Sequence, residues 1–183
     1  MMDMVNSTAM AEERAGAGQP VRPGPRNHIA PDCQGMNFYE IDPSFQASLR
    51  ANMDPGALRH FEPYLQKLGE AAGGRLDQLA RKVERNPPVL EHRDRFGTDL
   101  DEIDYHPAYR EMEKIGFEDF QMHAMCHRND ALGWDGPAPQ AAKYAFQYLF
   151  SQSEFGMMCP LSITDATIQV LSKFASDELK AYL

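Results

Sequence analysis

Three residues that can bind metals lie close together in the middle of the chain. His123, Cys126 and His127 are three and four residues apart, so within a helix they would share one face. Imidazole and thiolate suit zinc, but a zinc site needs a third or fourth protein ligand. His106 or Glu154 could supply one, although nothing in the sequence requires either. A packed cysteine beside two histidines with polar edges is the simpler interpretation, and we predict no metal site.

A second polar group is mainly acidic. A calcium-binding loop needs oxygen ligands at fixed positions and a glycine at the sixth, and this segment lacks that order. A solvated strand edge is the simpler interpretation, because charges there discourage pairing with other chains. The members of the group are Asp99, Asp101, Glu102, Asp104 and His106.

Sequence motifs for stand-alone catalysis are missing. The serines near residue 155 are not part of a Gly-x-Ser-x-Gly elbow, so a hydrolase triad has no anchor. The sequence also has neither a Gly-x-Gly-x-x-Gly nor a Gly-Lys-Ser/Thr phosphate loop. We therefore assign no catalytic residue.

The segment from residue 154 to 167 is the stronger functional candidate. Gly156 permits close approach of the backbone, and Met157 and Met158 are adaptable apolar side chains suited to lining a slot. Pro160 indicates the beginning of a helix, where backbone N–H groups lack partners within the helix. The alternative is that these residues are ordinary core at helical spacing.

The composition is that of one soluble, cytoplasmic domain. The chain has 183 residues, 43% hydrophobic and 25% charged. No apolar run approaches the roughly 20 residues that cross a bilayer, and the N-terminus does not resemble a secretory signal. Three cysteines without framework spacing suggest reduced, buried thiols. The net charge of −9 argues against an extended nucleic-acid-binding surface.

Proline and glycine positions divide the chain into elements. Residues 1–36 are rich in both and poor in apolar anchors, which predicts a disordered tail before a domain of residues 37–183. Ser44 is the expected cap of the first helix. Pro63 should break or kink the next helix, and Gly73-Gly74 should end it.

A ribbon and further helices follow. Short groups of apolar residues on either side of a polar turn predict a small extended ribbon around residues 88–106. A helix should start at Pro107 and stop at Gly116, and another should cover residues 117–129. Two buried helices, from about 140 to 155 and from 160 to 175, should form the centre. The fold class is therefore mainly α, with about seven helices.

Two parts of the sequence resemble a known family. One part contains Asn86-Pro-Pro-x-Leu, His92-x-Asp-Arg-Phe-Gly and Asp101-Glu-Ile-Asp-Tyr-His-Pro-Ala-Tyr. The other is Gln152-Ser-Glu-Phe-Gly-Met-Met-Cys-Pro-Leu-Ser-Ile-Thr-Asp-Ala. Both are similar to the N-terminal region of the acyl-CoA dehydrogenase superfamily, and most similar to its alkylation-response (AidB-like) branch. The resemblance covers roughly residues 37–175 and only the first part of the family's usual length.

This resemblance implies a helical N-terminal domain of an FAD-dependent oxidoreductase. The family reaction is α,β-dehydrogenation of acyl-CoA thioesters, with hydride transfer to flavin. In the family, a middle β-domain holds most of the flavin, and a C-terminal bundle supplies the catalytic carboxylate. Neither is present here, so we expect the 183-residue chain alone to be inactive. The resemblance makes Met158, Cys159, Leu161 and Thr164 candidates for the wall of the acyl and flavin cavity.

Several possibilities remain open for partners and role. A complementary subunit could carry the missing domains, and a homo-oligomer is also possible. A non-catalytic helical interaction module is the main alternative function, and it would expose a contiguous apolar patch. An accessory role in the response to DNA alkylation is suggested only by the family branch.

Overall fold

The computed structural model describes residues 31–181. Within that range the chain forms seven α-helices and one antiparallel two-stranded ribbon, which confirms the mainly α fold class. Two wider helical turns, Ala72–Leu76 and Lys114–Asp119, extend the helices before them. The elements are α1 (Pro43–Asn52), α2 (Pro55–Ala71), α3 (Asp77–Arg85), β1 (Val89–Arg93), β2 (Asp99–Asp104), α4 (Pro107–Glu113), α5 (Gln140–Ser151), α6 (Met158–Phe174) and α7 (Asp177–Lys180).

The core lies between α2 and α5, with the loop before α5 closing one end. The rings of Phe61 and Phe146 meet edge to face, with centroids 6.1 Å apart. Phe120 packs on Phe146 at 5.8 Å. Met122 and Met125 are fully buried beside them. The expected central position of α5 is thus confirmed.

Residues 36–42, here called the lead segment, run along α2 and are held by two close glycine contacts. A Cβ on Gly69 would lie 2.6 Å from the Tyr39 backbone nitrogen, and one on Gly73 would lie 1.8 Å from the Met36 carbonyl oxygen. Tyr39 is buried, and its hydroxyl donates to Glu62 at 2.7 Å. Small residues on α2 and in the turn after it therefore let the chain lie directly on the helix. Ile41, in the same segment, is exposed.

Two predicted interruptions of α2 are wrong. The helix continues through Pro63, because proline removes one backbone hydrogen bond while the buried neighbours on the same helix keep their packing. The Gly73-Gly74 pair does not end the helix either. It lies in the wider turn Ala72–Leu76, which connects α2 to α3 without a break.

The helix caps follow the sequence with one exception. Asp54 caps α2 by accepting hydrogen bonds from the amides of Gly56 and Ala57. Asp42, and not Ser44, caps α1: its Oδ1 accepts from the Phe45 amide at 2.8 Å. Pro43 occupies the first position of α1, where its missing N–H costs nothing. Both helices therefore begin with the same Asp-Pro pair.

The predicted ribbon is confirmed, with strands at residues 89–93 and 99–104. Gly97 adopts φ +88 in its turn, as expected. The pairing register shifts between Glu91 and Arg93, and Asp101 opposite this shift has φ +48. Every residue of both strands is exposed, so the ribbon projects away from the core.

The predicted helix over residues 117–129 is wrong. Gly116 does not stop α4; the chain continues through the wider turn to Asp119. Gln121 then adopts φ +49, a left-handed conformation that ends helical hydrogen bonding. The following residues form irregular turns. His123, Cys126 and His127 therefore do not share a helix face.

The expectation that α6 is buried is wrong for most of its length. Only Met158 and Leu161, in its first turn, are fully enclosed. Ile163 and Phe174, two large apolar residues of this helix, are exposed. The helix thus lies on the domain surface, attached at its N-terminal end.

We expect Gly73→Ala to destabilise the protein, and Gly74→Ala to leave its stability unchanged or slightly higher. The new Cβ at residue 73 would collide with the Met36 carbonyl, costing about 1–3 kcal/mol. A Cβ at residue 74 meets nothing within 4 Å, and alanine is better in a helix by up to about 1 kcal/mol. Urea unfolding measures both. Equal stability of the two variants would contradict the close packing of the lead segment.

Candidate functional site

The four predicted wall residues lie on the first two turns of α6 and point in different directions. Met158 and Leu161 are buried, and Leu161 packs on the backbone of Gly116. Thr164 is half-buried, and Cys159 is exposed. The structure therefore brings the four residues to one end of one helix, with two facing the core and Cys159 facing outward.

The turn between α5 and α6 is held by polar contacts of Ser153 and Glu154. The Ser153 hydroxyl donates to the Ala72 carbonyl at 2.6 Å. The Glu154 carboxylate accepts from the Met157 amide at 3.1 Å, which satisfies one of the N–H groups that a helix start leaves unpaired. These two bonds fix where α6 begins relative to α2 and α5.

A buried ionic network lies one turn further along α6. Lys143 of α5 is only 3% exposed, and its Nζ lies 2.7 Å from Asp165 Oδ2. The other carboxylate oxygen of Asp165 lies 2.8 Å from His127 Nε2. Charges with this little contact with water persist in proteins when they are paired and hydrogen-bonded. The network thus links α5, α6 and the loop containing His127.

The loop and α6 enclose a cavity of about 440 Å³ beside this network. His123, Cys126 and His127 line it together with Ile168 and Ser172 of α6. Burial lowers the pKa of His123 and raises the pKa of the Cys126 thiol. Both groups are thereby kept neutral. For Cys126 this disfavours the thiolate that binds metals, whereas a neutral imidazole such as that of His123 can still be a metal ligand. Across residues 31–181, no three His, Cys, Asp or Glu side chains are placed to hold a metal ion.

The outward side of α6 carries an apolar stripe. Ile163, Val170 and Phe174 are 60%, 55% and 82% exposed, and their spacing places them on one face of the helix. Thr167 lies between them on the same face. We call these four residues the α6 stripe. An apolar row of this kind on a surface helix marks an interaction face or the wall of a binding site.

The pair formed by Lys143 and Asp165 was not predicted from the sequence. A usable signal was present: Lys143 is the single charged residue of α5, and Asp165 is the single acidic residue of α6. One positive and one negative charge, each isolated in an apolar helix, predict a pairing between the two helices.

Comparison with known proteins agrees with this architecture. The family model described as "Adaptive response protein AidB N-terminal domain" matches residues 28–183. The chain belongs to this family. Its place in the acyl-CoA dehydrogenase superfamily, on the AidB-like branch, is thereby confirmed.

Individual relatives extend the comparison. The chain is 33% identical over 110 residues to "Putative acyl-CoA dehydrogenase AidB" of Escherichia coli (strain K12), a match that covers 58% of this chain and 18% of that protein. It is 23% identical over 140 residues to "Acyl-CoA dehydrogenase family member 11" of Caenorhabditis elegans, which covers 74% of this chain and 21% of the relative. The AidB-type domain described here thus spans about a fifth of these relatives.

A solved structure shares the fold. The chain described as "Bd2924 apo-form" superimposes with a TM-score of 0.71 and is 27% identical, covering 81% of this chain and 28% of that one.

Within residues 31–181, no helix is long and apolar enough to cross a bilayer.

We expect Lys143→Met to lower the free energy of unfolding by about 3 kcal/mol, because Asp165 is left buried without its ammonium partner. The double variant Lys143→Met/Asp165→Leu should recover most of this loss, since it removes both charges. Urea denaturation of the single and double variants measures the coupling.

The matched control is the exposed pair of Arg93 and Asp99, whose atoms are 2.9 Å apart. Arg93→Met should change stability by less than about 1 kcal/mol, because solvent screens the pair. If Lys143→Met costs no more than Arg93→Met, the buried network contributes nothing to stability.

Proposed function

We propose that this chain is the N-terminal helical part of an FAD-dependent acyl-CoA dehydrogenase-like oxidoreductase and covers one side of the cavity for the acyl group and flavin. Membership in the AidB N-terminal family supports the class of enzyme. The observation that carries the proposal is the α6 stripe, which follows directly on the candidate wall residues. An acyl chain needs an apolar surface that excludes water, and α6 offers one with no charged side chain between Asp165 and Lys173.

The flavin's apolar ring system and its phosphates make different demands. The α6 stripe fits an acyl chain or the edge of a flavin ring. It does not fit the pyrophosphate, because the stripe itself carries no cation. The phosphates would therefore be held by a part of the enzyme that these residues do not form. When bound, FAD accepts the hydride removed from the acyl thioester.

The share of this domain in the reaction is positioning. Met158 and Leu161 are buried and attach the beginning of α6 to the core. The positions of Cys159 and Thr164 on the same turns are thereby fixed. The network of Lys143 and Asp165 fixes the next turn. A rigid wall keeps water from the reacting centre and orients the chain that lies along it.

A non-catalytic interaction module is the second candidate, because the same stripe can bind another protein. A complementary subunit or a second copy would then cover α6. Flavin absorbance that accompanies the purified complex favours the enzyme, and a colourless complex favours the module. The overall charge of −9 disfavours a nucleic-acid partner, and unchanged mobility of duplex DNA at low salt would exclude it.

We expect the purified 183-residue chain to show no oxidation of acyl-CoA substrates, because the residues described contain neither a phosphate-binding site for FAD nor an assigned base. The measurement is reduction of an electron-accepting dye with added FAD and acyl-CoA thioesters of several lengths. Turnover above a heat-denatured control would refute this.

A chimera tests the wall itself. Residues 28–183 replace the matching region of the Escherichia coli relative, and the unmodified relative provides the reference flavin spectrum. We expect the chimera to retain flavin. In the chimera, Ile163→Asp or Phe174→Asp should weaken acyl-CoA binding at least about tenfold, since a buried unpaired carboxylate is costly. The flavin spectrum and acyl-CoA titrations followed by absorbance measure the two quantities.

The matched control in the chimera is Leu90→Asp, which changes an equally apolar and exposed residue of the ribbon. It should leave acyl-CoA affinity unchanged. A folded chimera in which the α6 substitutions have no more effect than Leu90→Asp would overturn the proposed position of α6.

A further inference from the structure

A second cavity lies between α1 and α5, on a different side of α5 from α6. Its volume is about 440 Å³. Its floor consists of apolar side chains, including Leu49 of α1, Met53 directly after α1 and Ala145 of α5, all of them buried. Small alanines on α5 leave the space between the two helices open. We call this cavity the α1–α5 groove.

Aromatic rings form one wall of the groove. Phe45 of α1 and Tyr148 of α5 are stacked, with centroids 4.5 Å apart and planes at 29°. Tyr144, one turn before Tyr148, also lines the groove and is 60% exposed. The wall is therefore built of three aromatic rings, of which Tyr144 has the largest exposed fraction. The face of an aromatic ring attracts cations.

A single carboxylate sits at the end of this wall. Asp42 caps α1 through the Phe45 amide and accepts a hydrogen bond from the Tyr148 hydroxyl at 2.7 Å. These two bonds lower the pKa of Asp42, and the bond to Asp42 raises the pKa of Tyr148. At neutral pH the groove thus holds the Asp42 carboxylate beside the uncharged phenol of Tyr148.

The residues that line the groove, all within the described part of the chain, include no lysine, arginine or histidine. The ammonium group of Lys143 lies 4.7 Å from the Tyr144 ring centroid. Asp165 already pairs with that ammonium, so its charge is largely balanced. An anionic ligand would find no partner in the groove and would be repelled by Asp42.

We propose that the α1–α5 groove is a binding site for a small organic cation, an alkylated ammonium with an apolar body. The apolar body would lie on Leu49 and Met53, and the ammonium would face the rings of Tyr144 and Tyr148 with Asp42 nearby. An alkylated ammonium is weakly hydrated, so burying it against rings costs less than burying a bare ammonium. The volume is in the range of small-molecule sites.

The site does not depend on the proposed oxidoreductase function. It lies on α1 and on the opposite side of α5, and it requires neither flavin nor an acyl thioester. Its test is therefore a direct binding measurement on the 183-residue chain.

The experiment compares three probes of the same shape and different charge. They are para-hydroxyphenyltrimethylammonium, its uncharged isostere para-tert-butylphenol and the anion para-hydroxybenzenesulfonate. We expect saturable binding of the cation, at least about tenfold tighter than the uncharged isostere, and no binding of the anion. Titration followed by NMR of backbone amides should place the shifts at Phe45, Leu49 and Ala145.

Two substitutions with matched controls locate the site. Asp42→Asn should weaken binding of the cation and leave binding of the uncharged isostere unchanged. The fold should persist in this variant, because asparagine also caps helices. Asp54→Asn makes the same change at the cap of α2, outside the groove, and should have no effect. Tyr144→Leu should weaken binding of the cation more than Tyr105→Leu does.

Three results would overturn the proposal. One is equal or tighter binding of the uncharged isostere, which would make the groove a purely apolar site. Another is cation affinity that does not respond to either Asp42→Asn or Tyr144→Leu in a protein with unchanged circular dichroism. The third is the absence of saturable cation binding.

Discussion

Two charges buried between α5 and α6 decide how the last long helix is attached. Lys143 and Asp165 are both shielded from water, and a buried charge that loses its partner is far more costly than an exposed one. The pair therefore permits few orientations of α6. Met158 and Leu161 fix its first turn, and Asp165 fixes the second. Beyond that point no residue of the helix is fully buried, and its apolar stripe is exposed.

Much of the fold follows from local sequence. The Asp-Pro pair before α2, His106-Pro107 before α4 and the turn at Gly97 each satisfy a local backbone requirement, whereas the cap of α1 is Asp42 and not the expected Ser44. The errors arose where tertiary packing overrides local preference. Pro63 remains helical because its neighbours are packed, and Gly73 is needed for the close passage of Met36. Neither effect is visible in a local pattern.

The candidate site was less predictable than the fold. The segment that begins α6 was identified from its glycine, methionines and proline, but the direction of each side chain depends on how the helix is rotated. That rotation is set by Lys143 and by the contact of Leu161 with Gly116, which lie far away in sequence. The spacing of His123 and His127 was misleading because the segment is not helical. Periodicity carries information about a site only where the backbone keeps that period.

The ribbon illustrates how independent one part of the domain is from the rest. The helices α3 and α4 on either side of it pack against each other, and Arg75 forms an ion pair with Glu111 near their contact. The two ends of the ribbon are thus held in place without help from its strands. Its length can change without disturbing the helices, which makes the turn at residues 94–98 a permissive position for grafting a peptide tag or a fluorescent reporter.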